Sequence, residues 1–73
     1  MQNMINPDPT NLYKIKNSKM PFGKYAGVSL IDLPDDYVEW FFENAIQDND
    51  FGRLMTELRE IKLNGLEPLI RKL

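Results

Sequence analysis

Residues 20–27, MPFGKYAG, place one proline and two glycines within eight positions, and this segment limits the fold more than any other. Pro21 lacks a backbone N–H and Gly23 is a poor helix former, so no helix can run through it. Short apolar pieces at 20–22 and 28–30 flank a five-residue connection, which is the pattern of a β-hairpin. Because glycine accepts positive φ angles, we expect Gly23 and Gly27 to shape the turn.

The chain before this segment predicts one short helix. Asp8 followed by Pro9 is typical of a helix start, because aspartate caps the first N–H groups and proline at the first position needs no partner. Residues 1–7 show no apolar periodicity, so we expect a loose terminus followed by a single domain at 8–73. The helix is predicted to continue through Leu12, Tyr13, Ile15 and Lys16.

A second helix is predicted to begin at residues 33–36, LPDD, because the helix dipole stabilises carboxylates in the first turn. Its apolar residues form a wide arc, so we expect this to be the central core helix, with Trp40 as a buried anchor. The arc consists of Tyr37, Val38, Trp40, Phe41, Phe42, Ala45 and Ile46.

Two more helical segments are predicted in the last third of the chain. Residues 48–50, DND, supply a cap, and apolar residues then recur at helical spacing from Phe51 to Ile61. Gly65 predicts the end of that helix, because glycine readily takes the left-handed conformation that closes one. The final amphipathic segment carries Leu66, Leu69, Ile70 and Leu73.

These elements together predict an α+β fold. We expect a small, mostly helical single domain with one two-stranded β-hairpin packed on the central helix. No apolar run approaches the ~18 residues of a membrane span. The start, MQNMINPDP, has neither a basic leader nor an apolar signal segment, and the chain has no cysteine, so we expect a cytoplasmic protein.

Charge is segregated along the chain. The net charge is +3 for residues 1–31, −7 for residues 32–50 and +2 for residues 51–73. Such asymmetry favours a charged partner, although a solvated surface produces the same pattern.

Most catalytic chemistry lacks its usual residues. The absence of histidine and cysteine removes the common zinc ligands, imidazole bases and thiol nucleophiles. One enzymatic alternative is a Mg²⁺-dependent nuclease that uses clustered carboxylates, but helix capping accounts for the same residues. We therefore expect no catalytic residue, metal or cofactor. The carboxylates are Asp32, Asp35, Asp36, Glu39 and Glu43.

The candidate contact surface is formed by Phe22, Lys24 and Tyr25, with Lys19 nearby in sequence. A lysine flanked by aromatic rings can hold a nucleic-acid strand, through stacking on bases and attraction to phosphate. A purely structural role, with Phe22 buried and Tyr25 covering the sheet, explains the same residues equally well.

Four ordered segments resemble one known family. They are MPFGKYAG at 20–27, LPDDY followed by WF within 33–41, FGRL at 51–54 and EIKLNGLE at 60–67. They are similar to MPFGKYKG, LPEDYLxWF, GxLG and EIKxNGLExL in the small bacterial and phage family named putative quorum-sensing-regulated virulence factor. The resemblance covers about residues 8–73. A shorter form of the first two segments also resembles the C-terminal segment of exodeoxyribonuclease X-like exonucleases.

The resemblance implies an accessory role near DNA or RNA, without chemistry of its own. Ala26 stands where the family usually has lysine, which removes one phosphate-seeking charge. The leading hypothesis is weak binding of single-stranded nucleic acid through the hairpin, or a place beside a nucleic-acid enzyme. The alternative is a protein-interaction adaptor or homodimer that uses the C-terminal amphipathic helix, and a Mg²⁺-dependent nuclease comes third. The matching turn positions are Phe22, Gly23, Lys24, Tyr25 and Gly27.

Overall fold

The computed structural model describes residues 9–73, with side chains from Thr10 onward. The predicted loose terminus and the Asp8 cap lie outside the described residues. Within the described range, no helix is long and apolar enough to span a lipid bilayer. The helices are α1 (Pro9–Asn17), a short 3₁₀ helix (Leu30–Asp32), α2 (Asp35–Asn44), α3 (Asp50–Leu63) and α4 (Glu67–Arg71).

The predicted β-hairpin is absent from residues 9–73. Their backbone forms no strand, and one isolated antiparallel bridge joins Lys19 to Ser29. The α+β prediction is therefore wrong, and the fold is a small, compact assembly of helices around one loop, residues 18–29.

Local turns replace the hairpin because the connection satisfies its own backbone groups. The Ala26 N–H donates to the Gly23 carbonyl at 3.1 Å, and the Val28 N–H donates to the Tyr25 carbonyl at 3.0 Å. Pro21 has no N–H to offer a neighbouring strand. The chain therefore curls into consecutive turns instead of extending into two paired strands.

The base of the loop is nevertheless held by backbone hydrogen bonds. The Met20 N–H donates to the Val28 carbonyl and the Gly27 N–H donates to the Met20 carbonyl, both at 2.8 Å. The Leu30 N–H also donates to the Ser18 carbonyl at 3.0 Å, and the Asp32 N–H then donates to the Ser29 carbonyl at 2.9 Å, where the 3₁₀ helix starts. The loop is thus a fixed part of the fold, although it is not a sheet.

The helix predictions for the second half are confirmed. Helix α2 begins at Asp35, directly after Pro34. Helix α3 is capped by Asn49, whose side-chain Oδ1 accepts a hydrogen bond from the Gly52 N–H at 2.8 Å. This satisfies one of the backbone donors that a helix start leaves without a partner.

The core is aliphatic, and α3 supplies more of it than α2 does. Met55, Leu58 and Ile61 of α3 are buried, whereas α2 buries only Val38 and Phe41. Helix α3 packs against both α1 and α2. The prediction that α2 is the central core helix is therefore wrong. The other buried apolar residues are Ile15, Met20, Leu30, Ile31, Leu33 and Ile70.

The turn between α3 and α4 has the hydrogen bonds of a Schellman motif. The Leu66 N–H donates to the Ile61 carbonyl at 3.0 Å, and the Gly65 N–H donates to the Lys62 carbonyl at 3.2 Å. Gly65 has a φ of +66°, in the left-handed region that side chains with a Cβ disfavour.

We expect Gly65→Ala to lower the free energy of unfolding by about 1 kcal/mol, because alanine must take the left-handed conformation. Gly65→Asn is the matched control and should keep most of the stability, since asparagine tolerates that conformation. Urea denaturation followed by circular dichroism measures both. Equal losses for the two variants would contradict the proposed cause.

Candidate functional site

Two aromatic side chains are half exposed beside the loop. Phe22 is 50% exposed and Trp40 is 52% exposed. The Phe22 ring stacks on Phe41, with centroids 6.3 Å apart, and the Trp40 ring stacks on Tyr37, with centroids 5.9 Å apart. Each exposed ring is thus held by a more buried ring, which fixes its orientation.

These rings border a shallow depression of about 430 Å³, which we call the aromatic groove. Phe22 and Lys24 come from the loop, and Trp40 comes from α2. Phe41 also lines the groove and, at only 3% exposed, belongs to the buried core. The groove offers ring surfaces together with one cation. Its remaining lining residues are Gly23, Tyr37 and Ala45.

Lys24 is exposed, and its ammonium lies 5.5 Å from the centre of the Tyr25 ring. Within residues 9–73, no carboxylate pairs with it. Tyr25 is partly buried and meets Tyr37 edge-on, with centroids 4.6 Å apart. Tyr25 therefore supports Lys24 and Tyr37 and does not itself line the groove.

Of the remaining predicted site residues, Gly23 lines the groove, whereas Lys19 and Gly27 do not. Lys19 is exposed, but its backbone forms the bridge to Ser29 and it does not line the groove. Gly23 and Gly27 have φ angles of +80° and +88°. A Cβ on Gly23 would lie 3.7 Å from the Tyr37 hydroxyl, which is an ordinary contact distance. The positive φ angle therefore favours glycine at position 23 more than the available space does.

The prediction that Trp40 is a buried anchor is wrong. The arc on α2 is wider than the surface that α3 can cover, so the side carrying Val38 and Phe41 is buried and Trp40 remains outside. The width of that arc in the sequence is the feature that could have indicated that part of it, including Trp40, is exposed. Five apolar residues on a helix of 10 residues, followed directly by Ala45 and Ile46, exceed what a single neighbouring helix can bury.

The acidic stretch is partly neutralised by cations from α3 and from α4. Lys62 Nζ lies 2.9 Å from Asp35 Oδ1, and Arg59 Nε lies 2.9 Å from Glu39 Oε2. Arg71 pairs with Asp32 at 2.7 Å. Charges that are segregated in sequence are thus paired between elements.

These pairs also bear on the nuclease alternative. Among residues 9–73, no three acidic side chains converge in a way that could hold a metal ion. Asp36 and Glu43 are exposed, and no residue in the described part of the chain forms an ion pair with them. The positions of the carboxylates give the Mg²⁺ hypothesis no support.

The comparisons with known proteins place the chain in a family. The family described as "Putative quorum-sensing-regulated virulence factor" matches residues 8–73. The chain belongs to this family.

Two curated relatives match most of the chain. The chain is 43% identical over 63 residues to "Uncharacterized protein YpeB" of Escherichia coli strain K12, covering 85% of this chain and 88% of the relative. The protein of the same name from Escherichia coli O157:H7 matches equally. No solved structure shows a significant match.

Two of the four segments that carry the family resemblance meet at the aromatic groove. The first segment supplies Phe22, Gly23 and Lys24, and the second supplies Tyr37 and Trp40. Two separate stretches of the family pattern therefore build one surface feature of this member.

We expect Trp40→Ala to cost only about 1 kcal/mol of stability, because half of this side chain is already in water. The neighbouring variant Phe41→Ala should cost about 3 to 5 kcal/mol, because it opens a cavity in the core. Urea denaturation followed by circular dichroism compares them. A larger loss for Trp40→Ala than for Phe41→Ala would show that α2 is rotated relative to the arrangement described.

Proposed function

We propose that the protein is a non-enzymatic accessory module that binds single-stranded nucleic acid weakly through the aromatic groove. The observation that carries this proposal is the pair of half-exposed rings, Phe22 and Trp40, that border one depression with Lys24. Single-strand binders commonly combine stacking rings with a cation that follows the backbone.

Each groove element has a role in this proposal. An unstacked base lies on the Trp40 ring, which Tyr37 holds from the other side. The Phe22 ring offers a second apolar face, and the Lys24 ammonium attracts a phosphate. Stacking contributes about 1 to 3 kcal/mol per base, so two rings and one cation support weak, sequence-tolerant binding.

The charges near Trp40 also predict weak affinity. Asp36 and Glu43 lie four residues before and three residues after Trp40 on α2, which places both next to it on the helix surface. Both repel phosphate. Ala26 supplies no charge where the family pattern has lysine. The proposed ligand is therefore a short segment of strand with little phosphate contact.

The finer resemblance agrees with an accessory role. A shorter form of the first two segments, within residues 20–27 and 33–41, resembles the C-terminal segment of exodeoxyribonuclease X-like exonucleases, and on that resemblance the proposal includes a place beside a nucleic-acid enzyme. The lack of cysteine agrees with a reducing compartment such as the cytoplasm.

Trp40 is the single tryptophan of the sequence, so it reports on its own site. We expect a mixed-sequence single-stranded oligonucleotide to quench its fluorescence at low ionic strength, because a stacked base contacts the ring directly. Added salt should weaken binding with a slope near −0.7 per phosphate contacted. Lys24→Ala should lower the affinity, whereas Lys14→Ala, an exposed lysine on α1, should not. No quenching at low salt, or equal effects of the two variants, would contradict the proposal.

A second variant tests the charge argument in the opposite direction. Glu43→Gln removes a repulsive charge beside Trp40 and should raise the affinity for the oligonucleotide by a few-fold. The control Glu60→Gln changes an exposed carboxylate on α3 that does not line the groove and should leave the affinity unchanged. An equal gain for both variants would indicate a general charge effect and not binding at the groove.

A further inference from the structure

A second apolar surface lies at the junction of α3 and α4. Leu63 is 61% exposed, Leu66 40%, Leu69 59% and Leu73 42%. We call these four residues the leucine surface. Together they present on the order of a few hundred Å² of apolar area, which is the size of the largest apolar patch on a typical monomer and is often functional. The predicted interface on the C-terminal helix included Ile70, but Ile70 is buried at 5% exposure and belongs to the core.

The leucine surface is held in place by the fold. Leu66 caps the start of α4, Leu69 lies within it and Leu73 follows its end, at spacings of three and four residues, and Ile70 anchors that segment in the core. Leu63 lies on the other side of the Schellman turn. The Lys16 ammonium donates a hydrogen bond to the Leu73 carbonyl, which ties the end of the chain to α1.

Charges of opposite sign lie at the two ends of the leucine surface. Leu63 borders a depression lined by three carboxylates and two cations, which are Asp35, Asp36, Glu39, Arg59 and Lys62. Asp35 is paired with Lys62, but Asp36 has no ion pair within the described part of the chain. At the other end, Lys72 precedes Leu73 and likewise has no ion pair with residues 9–73. One end of the surface therefore carries a carboxylate without an ion pair among residues 9–73, and the other end carries an ammonium without one.

We propose that the leucine surface binds a second copy of this chain in an antiparallel, two-fold arrangement. A two-fold axis places the acidic end of one copy against the basic end of the other, so Asp36 faces Lys72 of the second copy twice. A partner with charges of a single sign around its contact surface would meet like charge at one end of the leucine surface. A second copy, turned by the two-fold axis, meets opposite charge at both ends.

The exposed area sets the strength of this association. Stable complexes bury about 800 Å² per partner, and four partly exposed leucines supply less than that. The association is therefore a reversible equilibrium between monomer and dimer that depends on protein concentration. Its leucines do not line the aromatic groove, so the apolar contact is tested separately from nucleic-acid binding, although Asp36 lies next to both surfaces.

Sedimentation velocity over a series from micromolar to millimolar protein tests the dimer. Leu69→Glu should weaken it by about tenfold or more, because it places a charge in the apolar contact. Ile46→Glu, which changes an exposed apolar residue outside the leucine surface, should leave it unchanged. Circular dichroism checks that both variants fold, and Leu63→Glu replaces Leu69→Glu if the latter does not. A monomer at every concentration, or equal effects of the test and control variants, overturns the proposal.

A charge exchange tests the antiparallel arrangement. Asp36→Lys and Lys72→Glu should each weaken the dimer, because each places like charges opposite one another. The double variant restores the attraction with the signs reversed, so its dimer constant should return toward that of the unmodified chain. Additive weakening in the double variant would overturn the two-fold pairing.

Discussion

The structure depends on one small aliphatic core that α3 organises. Leu58 and Met55 of α3 are almost completely buried with Ile15 of α1 and Leu30 of the 3₁₀ helix. In a chain of 73 residues, one such cluster supplies most of the stability, and losing any contributor costs a large share of it. The loop and α4 are ordered because Met20 and Ile70 also enter this cluster.

The small size of this aliphatic core also explains the aromatic groove. Once aliphatic side chains fill the core, Phe41 is the aromatic residue that α2 contributes to it, and the other rings must pack around Phe41. Phe22 and Phe51 both contact the Phe41 ring, with centroids 6.3 and 5.8 Å away. The aromatic cluster therefore links the core to the surface. Its outer rings are held firmly although they are half exposed, and this suits a surface that binds flat ligands.

Local signals predicted the helices, and contacts distant in sequence decided the rest. The start of α2 after Pro34 and the end of α3 near Gly65 depend on capping and backbone preference, which are readable over a few residues. The absence of the hairpin and the exposure of Trp40 could not be predicted from such local preferences. The first depends on competition between turns and pairing within the loop, and the second on which side of α2 faces α3. Phe22 and Lys24 were identified as candidate contacts from sequence, but Trp40 joined them only through the fold.

Binding at the aromatic groove is the central claim, and nuclear magnetic resonance tests it most directly because the chain is only 8.6 kDa. A short mixed-sequence single strand of about ten nucleotides is added at low salt to ¹⁵N-labelled protein, matching the site size of small single-strand binders. If the groove binds the strand, amide shifts change around Phe22 to Lys24 and along α2 near Trp40, together with the shift of the Trp40 indole N–H. Shift changes confined to other surfaces, or none at all, would contradict this claim.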